Sequence, residues 1–381
     1  MRILYFSWGE NSKEDLTNAL MQLHHEVLTI SSAVTDYLVN PELTQAVTDA
    51  VRQYQIELIF SMNYFPFLSD AAEHLHIPYV SWVYDCPHWT LYSPTVQNEC
   101  NRIFLFDQAM VSLVQAHGAS HAFHLPLAVN TGRIEGLLQT ADPSAYRNEI
   151  AFVGSLYEDN HFNRILYLPD QLRGFLDGIL AAQNMIYGQD LLDELLTDEL
   201  VSTLSQYVSY SMQPLCPIPA KDFFLSMLQT KLTSTERISA IKALAKTHPL
   251  RLYTASDATL CPDALPGGTV SYTDEMPLVF QHAKINLNIT LRSITSGIPL
   301  RAMDIMGCGG FLLTNYQPEL AQYFQNGVDY VYFEDEADLQ VKADYYLSHP
   351  KERMEIAKNG LYKIKSAFTY EHQLAKIFEL L

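Results

Sequence analysis

One stretch of the chain decides its fold: Ser293-Ile-Thr-Ser-Gly-Ile-Pro-Leu-Arg-Ala-Met-Asp-Ile-Met-Gly-Cys-Gly-Gly-Phe-Leu-Leu-Thr314. It begins as a polar loop, and Pro299 then suits the first turn of a helix, where a missing N–H costs nothing. Gly307, Gly309 and Gly310 are expected to end that helix. The apolar run that follows has the length of a strand buried in a parallel sheet. The stretch therefore predicts a loop, a helix and a strand of an α/β fold.

The loop and helix of this stretch carry a possible binding site. A loop that opens a helix at the carboxyl end of a strand is where α/β folds bind phosphate-bearing ligands. Arg301 lies in the first turn of the expected helix, and Asp304 lies one turn further on. The spacing thus puts a cation suited to a diphosphate and an acid suited to a ribose hydroxyl on the same helix.

Alternating patterns in both halves of the chain indicate the fold class. Apolar runs alternate with segments of helical periodicity, which predicts βαβ units and parallel sheets. A length of 381 residues suits two domains. The fold class is therefore α/β, with two Rossmann-like doubly wound domains. Strands are expected at residues 2–8, 26–30, 57–62, 79–84, 103–106 and 122–126, and again at 150–153, 250–254, 268–272, 285–289, 310–314 and 329–333.

Breaks in the pattern suggest the domain boundaries. The first domain is expected to cover residues 1–130, followed by a polar linker at 131–148. The second domain is expected at 149–360, and its alternation is interrupted by a helical insertion at about 160–235, rich in Leu, Asp, Gln and Ser. Residues 361–381 are expected to form a C-terminal helix.

The composition narrows the classes of function. Apolar residues make up 48% of the chain and the formal net charge is −19, which disfavours binding to nucleic acid or to anionic lipid by charge alone. The longest apolar runs have the length of strands, so no integral membrane segment is expected, and the N-terminus lacks a signal-peptide pattern. Five scattered cysteines without CxxC spacing indicate reduced thiols and a cytoplasmic location.

The opening stretch resembles the donor-site motif of GT-B fold glycosyltransferases, and within them it is most similar to the CgeB-like (spore-maturation-type) group. The resemblance is closest over residues 268–335, extends more weakly over 1–155 and does not include 160–235. It implies two Rossmann-like domains facing a cleft, with the acceptor on the first domain and a nucleotide diphosphate sugar on the second. It also implies that the final helix crosses back to the first domain.

Two positions of the motif can be compared with the related family 4 enzymes. Those enzymes have two acids eight residues apart, of which the second holds the nucleotide ribose. The second acid corresponds to Asp304, whereas the first falls on Ser296, which is not an acid. The contact of the first acid with the donor sugar, and the stereochemistry of that group, are therefore not transferred to this chain.

The resemblance implies a donor site on the second domain. The residues expected to line it are Gly154, Ser155, Asn288, Arg292, Ser293, Thr295, Ser296, Gly297, Arg301 and Asp304. From the residues alone, other roles stay open. Asn288 could tie the next loop by hydrogen bonds, Arg301 could form a structural ion pair, and Asp304 could be an acid on a helix surface. The loop at 293–297 could equally be an ordinary polar loop.

The first domain offers candidates for catalysis and for the acceptor. A strand ends in Tyr84-Asp85-Cys86-Pro87-His88, and similar Asp-x-Pro-His segments occur in CgeB-like sequences. An inverting transfer needs a base for the proton of the attacking hydroxyl, so Asp85 and His88 are the catalytic candidates. A turn-capping Asp85 and a packed His88 are the alternatives. The acceptor-side candidates, at the ends of the first and third strands, are Gly9, Glu10, Asn63 and Tyr64.

Together these features predict a hexosyltransferase that moves a sugar from a nucleotide diphosphate sugar, foremost a UDP-sugar, to a hydroxyl of a protein or polysaccharide. A helix N-terminus and Arg301 would stabilise the departing diphosphate, so neither an essential metal nor a cofactor is expected. The histidines lack the spacing of a metal site, and no P-loop, Gly-x-Gly-x-x-Gly or Gly-x-Ser-x-Gly motif is present. The alternatives are a nucleotide-sugar 2-epimerase and a catalytically silent GT-B protein that binds a nucleotide sugar or a partner.

Overall fold

The computed structural model describes residues 1–381 and divides into two compact units. The first unit contains Met1–Ala128, Met212–Ile218 and Ala367–Leu381. The second unit contains Val129–Ser211 and Pro219–Ser366. Each unit is built around one parallel sheet of six strands, so the expected class of two Rossmann-like α/β domains is confirmed.

The sheet of the first unit has the strand order β2-β1-β3-β4-β5-β6, and all of its pairings are parallel. Its elements are β1 (Arg2–Ser7), α1 (Lys13–Gln22), β2 (Glu26–Ser31), α2 (Pro41–Tyr54), β3 (Leu58–Met62), α3 (Pro66–Leu75), β4 (Tyr79–Val83), β5 (Asn101–Leu105), α4 (Gln108–Ala116) and β6 (Ala122–His124). The central strands are buried almost throughout, because helices cover both faces of a doubly wound parallel sheet. The connection between β4 and β5 contains no α-helix and forms short 3₁₀ turns at Trp89–Tyr92 and Pro94–Gln97.

The sheet of the second unit has the order β12-β11-β10-β7-β8-β9 and is also parallel. Its elements are α5 (Thr131–Thr140), β7 (Asn148–Val153), α6 (Asp170–Asn184), α7 (Leu191–Leu195), α8 (Asp198–Leu204), α9 (Ala220–Ala245), β8 (Leu250–Tyr253), β9 (Leu265–Gly268), α10 (Met276–His282), β10 (Ala283–Asn288), α11 (Leu300–Gly307), β11 (Leu312–Asn315), α12 (Pro318–Tyr323), β12 (Val331–Phe333), α13 (Glu336–Ser348) and α14 (Pro350–Ala367).

The opening stretch of the sequence forms the loop before α11, α11 itself and β11. Pro299 is the residue before the helix rather than its first residue. The helix ends as a Schellman motif, in which Gly309 N–H donates to the Met306 carbonyl at 3.0 Å and Gly310 N–H donates to the Ile305 carbonyl at 2.9 Å. Gly309 has the positive φ of 74° that such an ending requires. The chain therefore turns from helix to strand within four residues.

Two local expectations differ from the structure. Residues 131–140, expected within a polar linker, form α5, because the Asn130 side chain caps the helix by accepting a hydrogen bond from Arg133 N–H at 2.9 Å. The strand expected at 268–272 lies earlier, as β9, and ends at Gly268, whose φ is +68°. A left-handed residue at that point turns the chain out of the sheet.

The expected helical insertion has its own hydrophobic core and shares α9 with the sheet. Leu176, Leu200 and Phe224 belong to a cluster made by α6, α7, α8 and the first half of α9. In the second half of α9, Ile241 and Leu244 belong to the cluster that covers the sheet. The segment Met212–Ile218 belongs to the first unit, where the Cys216 thiol donates to the Trp89 carbonyl at 3.0 Å. The insertion is therefore interrupted by a segment of seven residues that packs with the first unit.

The end of the chain returns to the first unit. Residues Ala367–Leu381, with α15 (Tyr370–Glu379), belong to that unit. The Tyr370 ring meets the Trp82 ring edge-on with centroids 6.0 Å apart, and Phe378 packs against His25. Of the fifteen helices, none combines the length and the apolar composition that a membrane span requires.

The close approach at Gly310 gives a test of the fold. A Cβ at this position would lie 2.5 Å from the Phe280 carbonyl oxygen, which is backbone. Gly310→Ala is therefore expected to lower the free energy of unfolding by about 1–3 kcal/mol, since overpacking forces backbone shifts. Thermal or urea denaturation measures the change.

A glycine in open space is the matched control. Gly178 lies inside α6, and a Cβ there would meet nothing within 4 Å. Gly178→Ala should leave the stability unchanged or raise it by roughly 0.5–1 kcal/mol, because alanine favours a helix interior. Equal effects of the two substitutions would contradict the packing at Gly310.

Candidate functional site

Each sheet has a point where its chain connections diverge. In the second sheet β7 leads to β8 and β9 on one side, whereas β10 leads to β11 and β12 on the other. In the first sheet the same divergence occurs between β1 and β3. Open α/β sheets bind ligands in the crevice at the carboxyl ends of the two strands beside such a point. Four of the loops expected to carry site residues leave the sheets at these two places.

The switch point of the second sheet is occupied by an arginine that the sequence analysis did not identify. Arg237 of α9 donates from Nη1 to the Ser155 carbonyl at 2.7 Å and from Nη2 to the Ile289 carbonyl at 2.5 Å. It thereby bridges the loops that follow β7 and β10. Its guanidinium also lies over the Phe152 and Tyr157 rings, with centroids 5.5 and 5.0 Å away.

Arg237 remains charged at neutral pH although it is strongly desolvated. Burial is the main cause that lowers the pKa of its guanidinium to about 10, and the positive charge of Arg301 contributes to the lowering. Tyr157 and Glu236 act in the opposite direction. Two arginines therefore lie close enough to repel each other at the carboxyl edge of this sheet. Such a pair of like charges suits an anionic ligand.

The loop before α11 is held in a fixed shape. The Gln317 side-chain amide donates to the carbonyls of Ile294 and Gly297 at 3.1 and 3.0 Å. The Ser296 hydroxyl donates to Glu319 at 2.6 Å. Ser293 is half-buried and Thr295 is exposed. Pro299, the residue before α11, supplies no side-chain cap, so the N–H groups of the first turn keep their positive partial charge without a capping acceptor from that residue.

Arg301 and Asp304 form an ion pair on α11. Their Nη1 and Oδ2 atoms are 3.7 Å apart, and Oδ1 of Asp304 accepts a hydrogen bond from the Tyr272 hydroxyl at 3.1 Å. Asp304 is only 6% exposed and, with Tyr272 and Arg133, lines a small cavity. Arg301 is more open, lies over the Phe280 ring and touches the Met276 sulfur. The structure thus brings the expected cation and acid together and pairs them with each other.

Three other expected donor-side residues are engaged by the protein. Gly154 N–H donates to the Tyr253 carbonyl at 3.0 Å, and the Ser155 hydroxyl accepts from Tyr157 N–H at 3.0 Å. The buried Asn288 amide donates to the Thr314 hydroxyl at 2.9 Å and so ties β10 to β11. Their side chains and N–H groups therefore organise the edge of the sheet.

Arg292 faces the insertion. Its Nε donates to Glu236 at 2.9 Å in a pair whose side chains are 12% and 5% exposed, and its Nη1 donates to the Ile186 carbonyl at 3.0 Å. The guanidinium stacks on the Tyr187 ring, 4.3 Å from its centroid, and the Tyr187 hydroxyl donates to Glu236. Arg292 therefore joins the switch-point loop to α9 and the insertion.

The first unit brings together residues that end β3 and β4. Asn63 has a left-handed backbone with φ of 65°, and its amide donates to Asp85 Oδ2 at 2.7 Å. The side-chain Oδ1 of Asn63 accepts from Tyr84 N–H at 3.1 Å and from Asp85 N–H at 3.3 Å. The half-buried carboxylate of Asp85 is thus held in one orientation at the carboxyl edge of the sheet.

Glu10 and two aromatic residues lie at the same edge. Glu10 is buried after β1, where it accepts from Trp8 N–H at 2.9 Å, from Ser7 and from the Tyr5 hydroxyl. The neighbouring Gly9 has a φ of 102°. The Trp8 and Tyr84 rings stack with centroids 6.3 Å apart. Sequence reasoning missed this aromatic pair, although each aromatic ends or follows a predicted strand.

Burial and nearby acids raise the pKa of two tyrosines at this edge. Burial raises the pKa of Tyr84 well above its ordinary value, and the negative charges of Asp85 and Glu10 add to the effect. Burial likewise raises the pKa of Tyr5, with Glu10 as the next cause. Both phenols therefore stay protonated at neutral pH, so each can donate a hydrogen bond.

His88 has a different environment from Asp85. It is 8% exposed, and its Nε2 accepts from Tyr64 N–H at 3.1 Å and lies 2.7 Å from the Thr90 hydroxyl. Burial lowers the pKa of the ring. Tyr64 itself is buried, and its hydroxyl lies 2.8 Å from that of Thr95. Because Nε2 is bound to the protein, the geometry favours Asp85 over His88 as a base.

The chain contains no group of three or more His, Cys, Asp or Glu side chains arranged to hold a metal ion. All five cysteines are free thiols. Burial raises the pKa of the Cys308 thiol near Asp304, so this cysteine stays protonated.

Comparisons with known proteins agree with this architecture. Residues 237–379 match a family model described as Glycosyl transferase-like. No curated protein matches the chain. Solved structures match over the whole chain: sucrose-phosphate synthase from Thermosynechococcus elongatus (10% identity, TM-score 0.57, 98% of that chain) and HepE from Anabaena with UDP and glucose (11%, 0.57, 100%). A glycosyltransferase from Rickettsia africae also matches (11%, 0.51, 97%). At these identities the likeness shows the fold, which is GT-B.

The buried pair of Arg292 and Glu236 gives a prediction for stability. Glu236→Gln leaves the guanidinium without its counter-charge and is expected to lower the free energy of unfolding by about 3–5 kcal/mol. The double variant Glu236→Leu with Arg292→Met should lose less, because an apolar pair of similar volume often replaces a buried ion pair without cost. Urea denaturation measures both. A double variant less stable than the single one would contradict the ion-pair role.

The buried His88 predicts a pH effect. Its folded-state pKa lies below the ordinary value of 6.5, so below pH 6.5 the unfolded chain binds a proton that the folded chain does not. Stability should therefore be full above pH 6.5 and fall as the pH decreases, until the folded ring is also protonated. Urea denaturation at pH 7.5, 6.5 and 5.5 should show this loss in the wild type and a weaker loss in His88→Asn. If the stability of the wild type and of His88→Asn fell equally with decreasing pH, the contribution of His88 would be refuted.

Proposed function

We propose that the protein is a glycosyltransferase that moves a sugar from a nucleotide diphosphate sugar to a hydroxyl of a protein or polysaccharide. The observation that carries the proposal is the convergence of Arg237 and Arg301 at the switch point of the second sheet, beside the N-terminus of α11, for which Pro299 supplies no side-chain cap. This cluster of positive charge suits a diphosphate. The chain as a whole has a formal charge of −19, so such a local positive field is required to attract an anion.

UDP is the proposed nucleotide. HepE, which shares the fold, has been solved with UDP and with UDP-glucose, and the opening stretch resembles the CgeB-like group. In our proposal Asp304 is the ribose ligand. Before a ligand binds, the 3.7 Å pair of Asp304 and Arg301 holds both side chains in place. Nucleotide binding would then separate the two groups, as each contacts the ligand instead.

The proposed reaction needs only groups of the chain and its two substrates. The acceptor hydroxyl attacks the anomeric carbon, and the bond from that carbon to the diphosphate oxygen breaks. Arg237, Arg301 and the first N–H groups of α11 stabilise the charge on the departing diphosphate. We propose that they make a metal ion unnecessary. If the transfer inverts the anomeric carbon, Asp85, oriented by Asn63, is the base for the hydroxyl proton.

The free cysteines support a cytoplasmic location.

Nucleotide binding is the direct test. In thermal denaturation without metal, UDP or a UDP-sugar at 100 times its dissociation constant should stabilise the protein by roughly 2.7 kcal/mol. Asp304→Asn should abolish most of this shift, because it removes the carboxylate that is proposed to bind the ribose hydroxyls and that pairs with Arg301. Asp177→Asn, an exposed position in α6, is the matched control and should respond like the wild type. The absence of any nucleotide response would reject the donor site.

Turnover separates the transferase from the other GT-B functions. A transferase releases UDP only when an acceptor is present, an epimerase releases little, and a silent binding protein releases none. In a transferase, Asp85→Asn should retain the thermal shift with nucleotide but lose about 10²–10⁴-fold in turnover. Full turnover by Asp85→Asn would exclude it as the base. Binding without release across an acceptor panel would favour the silent alternative.

A further inference from the structure

A second concave region lies at the opposite edge of the second sheet. This cavity of about 570 Å³ lies where β7 and β10 begin, and its volume falls within the range of small-molecule sites. Its lining includes Glu149 near the start of β7, Lys284 near the start of β10, and Phe311 just before β11. Strands of this length separate it from the carboxyl edge by roughly 15–20 Å. It is therefore distinct from the proposed donor site.

Positive charge dominates the lining of this cavity. Arg147, Lys284 and Arg353 face one acid, Glu149. The acid is already paired, because Lys284 Nζ lies 2.7 Å from its Oε1. Arg147 and Arg353 therefore leave a net charge of two in the cavity. In a chain with a formal charge of −19, such a local excess attracts anions where the rest of the surface repels them.

The donors of these groups are only partly used by the protein. Arg353 is 8% exposed and donates from Nη1 to the carbonyls of Tyr346 and Leu347, where α13 ends. Its other two nitrogens have no partner in the protein. The guanidinium of Arg147 and the ring of His282 make no hydrogen bond. Burial and the charge of Arg147 lower the pKa of His282, so the ring is neutral at pH 7 and offers one N–H.

We propose that this cavity binds the phosphate group of a small phosphorylated metabolite, a phosphomonoester. A phosphomonoester carries a charge of about −1.5 to −2 and three strong acceptor oxygens, which match the Arg147 guanidinium, the remaining nitrogens of Arg353 and an imidazole N–H. The cavity also has an apolar wall of Phe311, Met354 and Ala357, and its volume exceeds what a free phosphate ion fills. The wall therefore contacts the organic part of the ligand.

Isothermal titration with glucose 1-phosphate, inorganic phosphate and glucose tests the proposal on the full chain. Glucose 1-phosphate is expected to bind saturably and more tightly than inorganic phosphate, and glucose should not bind. Arg147→Ala should weaken the binding of glucose 1-phosphate at least tenfold, since it removes a charged hydrogen-bond donor. Arg147 is exposed, and its charge acts on the exposed Asp142 without a hydrogen bond, so the variant should fold normally.

Two controls separate this site from general charge effects and from the donor site. Arg52→Ala removes an equally exposed arginine, in α2 of the first unit, and should leave the affinity unchanged. Asp304→Asn should also leave it unchanged, whereas Arg147→Ala should leave the thermal shift with UDP intact. Equal weakening by Arg52→Ala, or no weakening by Arg147→Ala, would overturn the proposal. Equal affinity for inorganic phosphate and glucose 1-phosphate would overturn the assignment of an esterified ligand.

Discussion

The hydrogen bonds of Arg237 are the interaction on which the second unit depends. One guanidinium joins the Ser155 carbonyl to the Ile289 carbonyl, and these two residues follow the strands between which the chain reverses direction across the sheet. Backbone carbonyls at the edge of a buried sheet need donors, and a buried guanidinium needs acceptors. Each requirement is met by the other. The same side chain holds a positive charge at the carboxyl edge of the sheet, so the residue that fixes these loops is also the one that our proposal assigns to the diphosphate.

Around this arginine, the remaining polar groups separate into two kinds. Some side chains donate hydrogen bonds to neighbouring protein groups and thereby fix the loops at the carboxyl edge; these are Asn288, Ser296 and Arg292. Arg301 and Asp304 are paired at a longer distance of 3.7 Å, which leaves room for exchange with a ligand. In the first unit, Asn63 fixes Asp85, whereas His88 is bound to backbone. The side chains that our proposal assigns to binding and catalysis, Arg301, Asp304 and Asp85, are therefore few, and neighbouring polar groups fix the loops around them.

The sequence predicted the elements that depend on local patterns. Apart from β9, strands appear close to their expected bounds, because alternation and apolar runs report burial directly. The glycines at the end of α11 likewise indicate the turn that follows it. Within the expected linker at 131–148, residues 131–140 form a helix that the polar sequence did not predict, because one side chain, Asn130, caps it. Arg237 was missed because its partners lie 82 and 52 residues away. No local pattern carries such a contact, so site residues that act through long-range bonds need the folded chain.

The helix α9 has a consequence for how the second unit opens. Its 26 residues supply Phe224 and Met227 to the core of the insertion and Ile241 and Leu244 to the core of the sheet. Neither core can lose this helix without exposing apolar surface in the other. Local opening by the insertion alone is therefore suppressed, and amide protons in both halves of α9 share one cooperative unit in hydrogen exchange. The inserted segment thus behaves energetically as part of the domain that it interrupts.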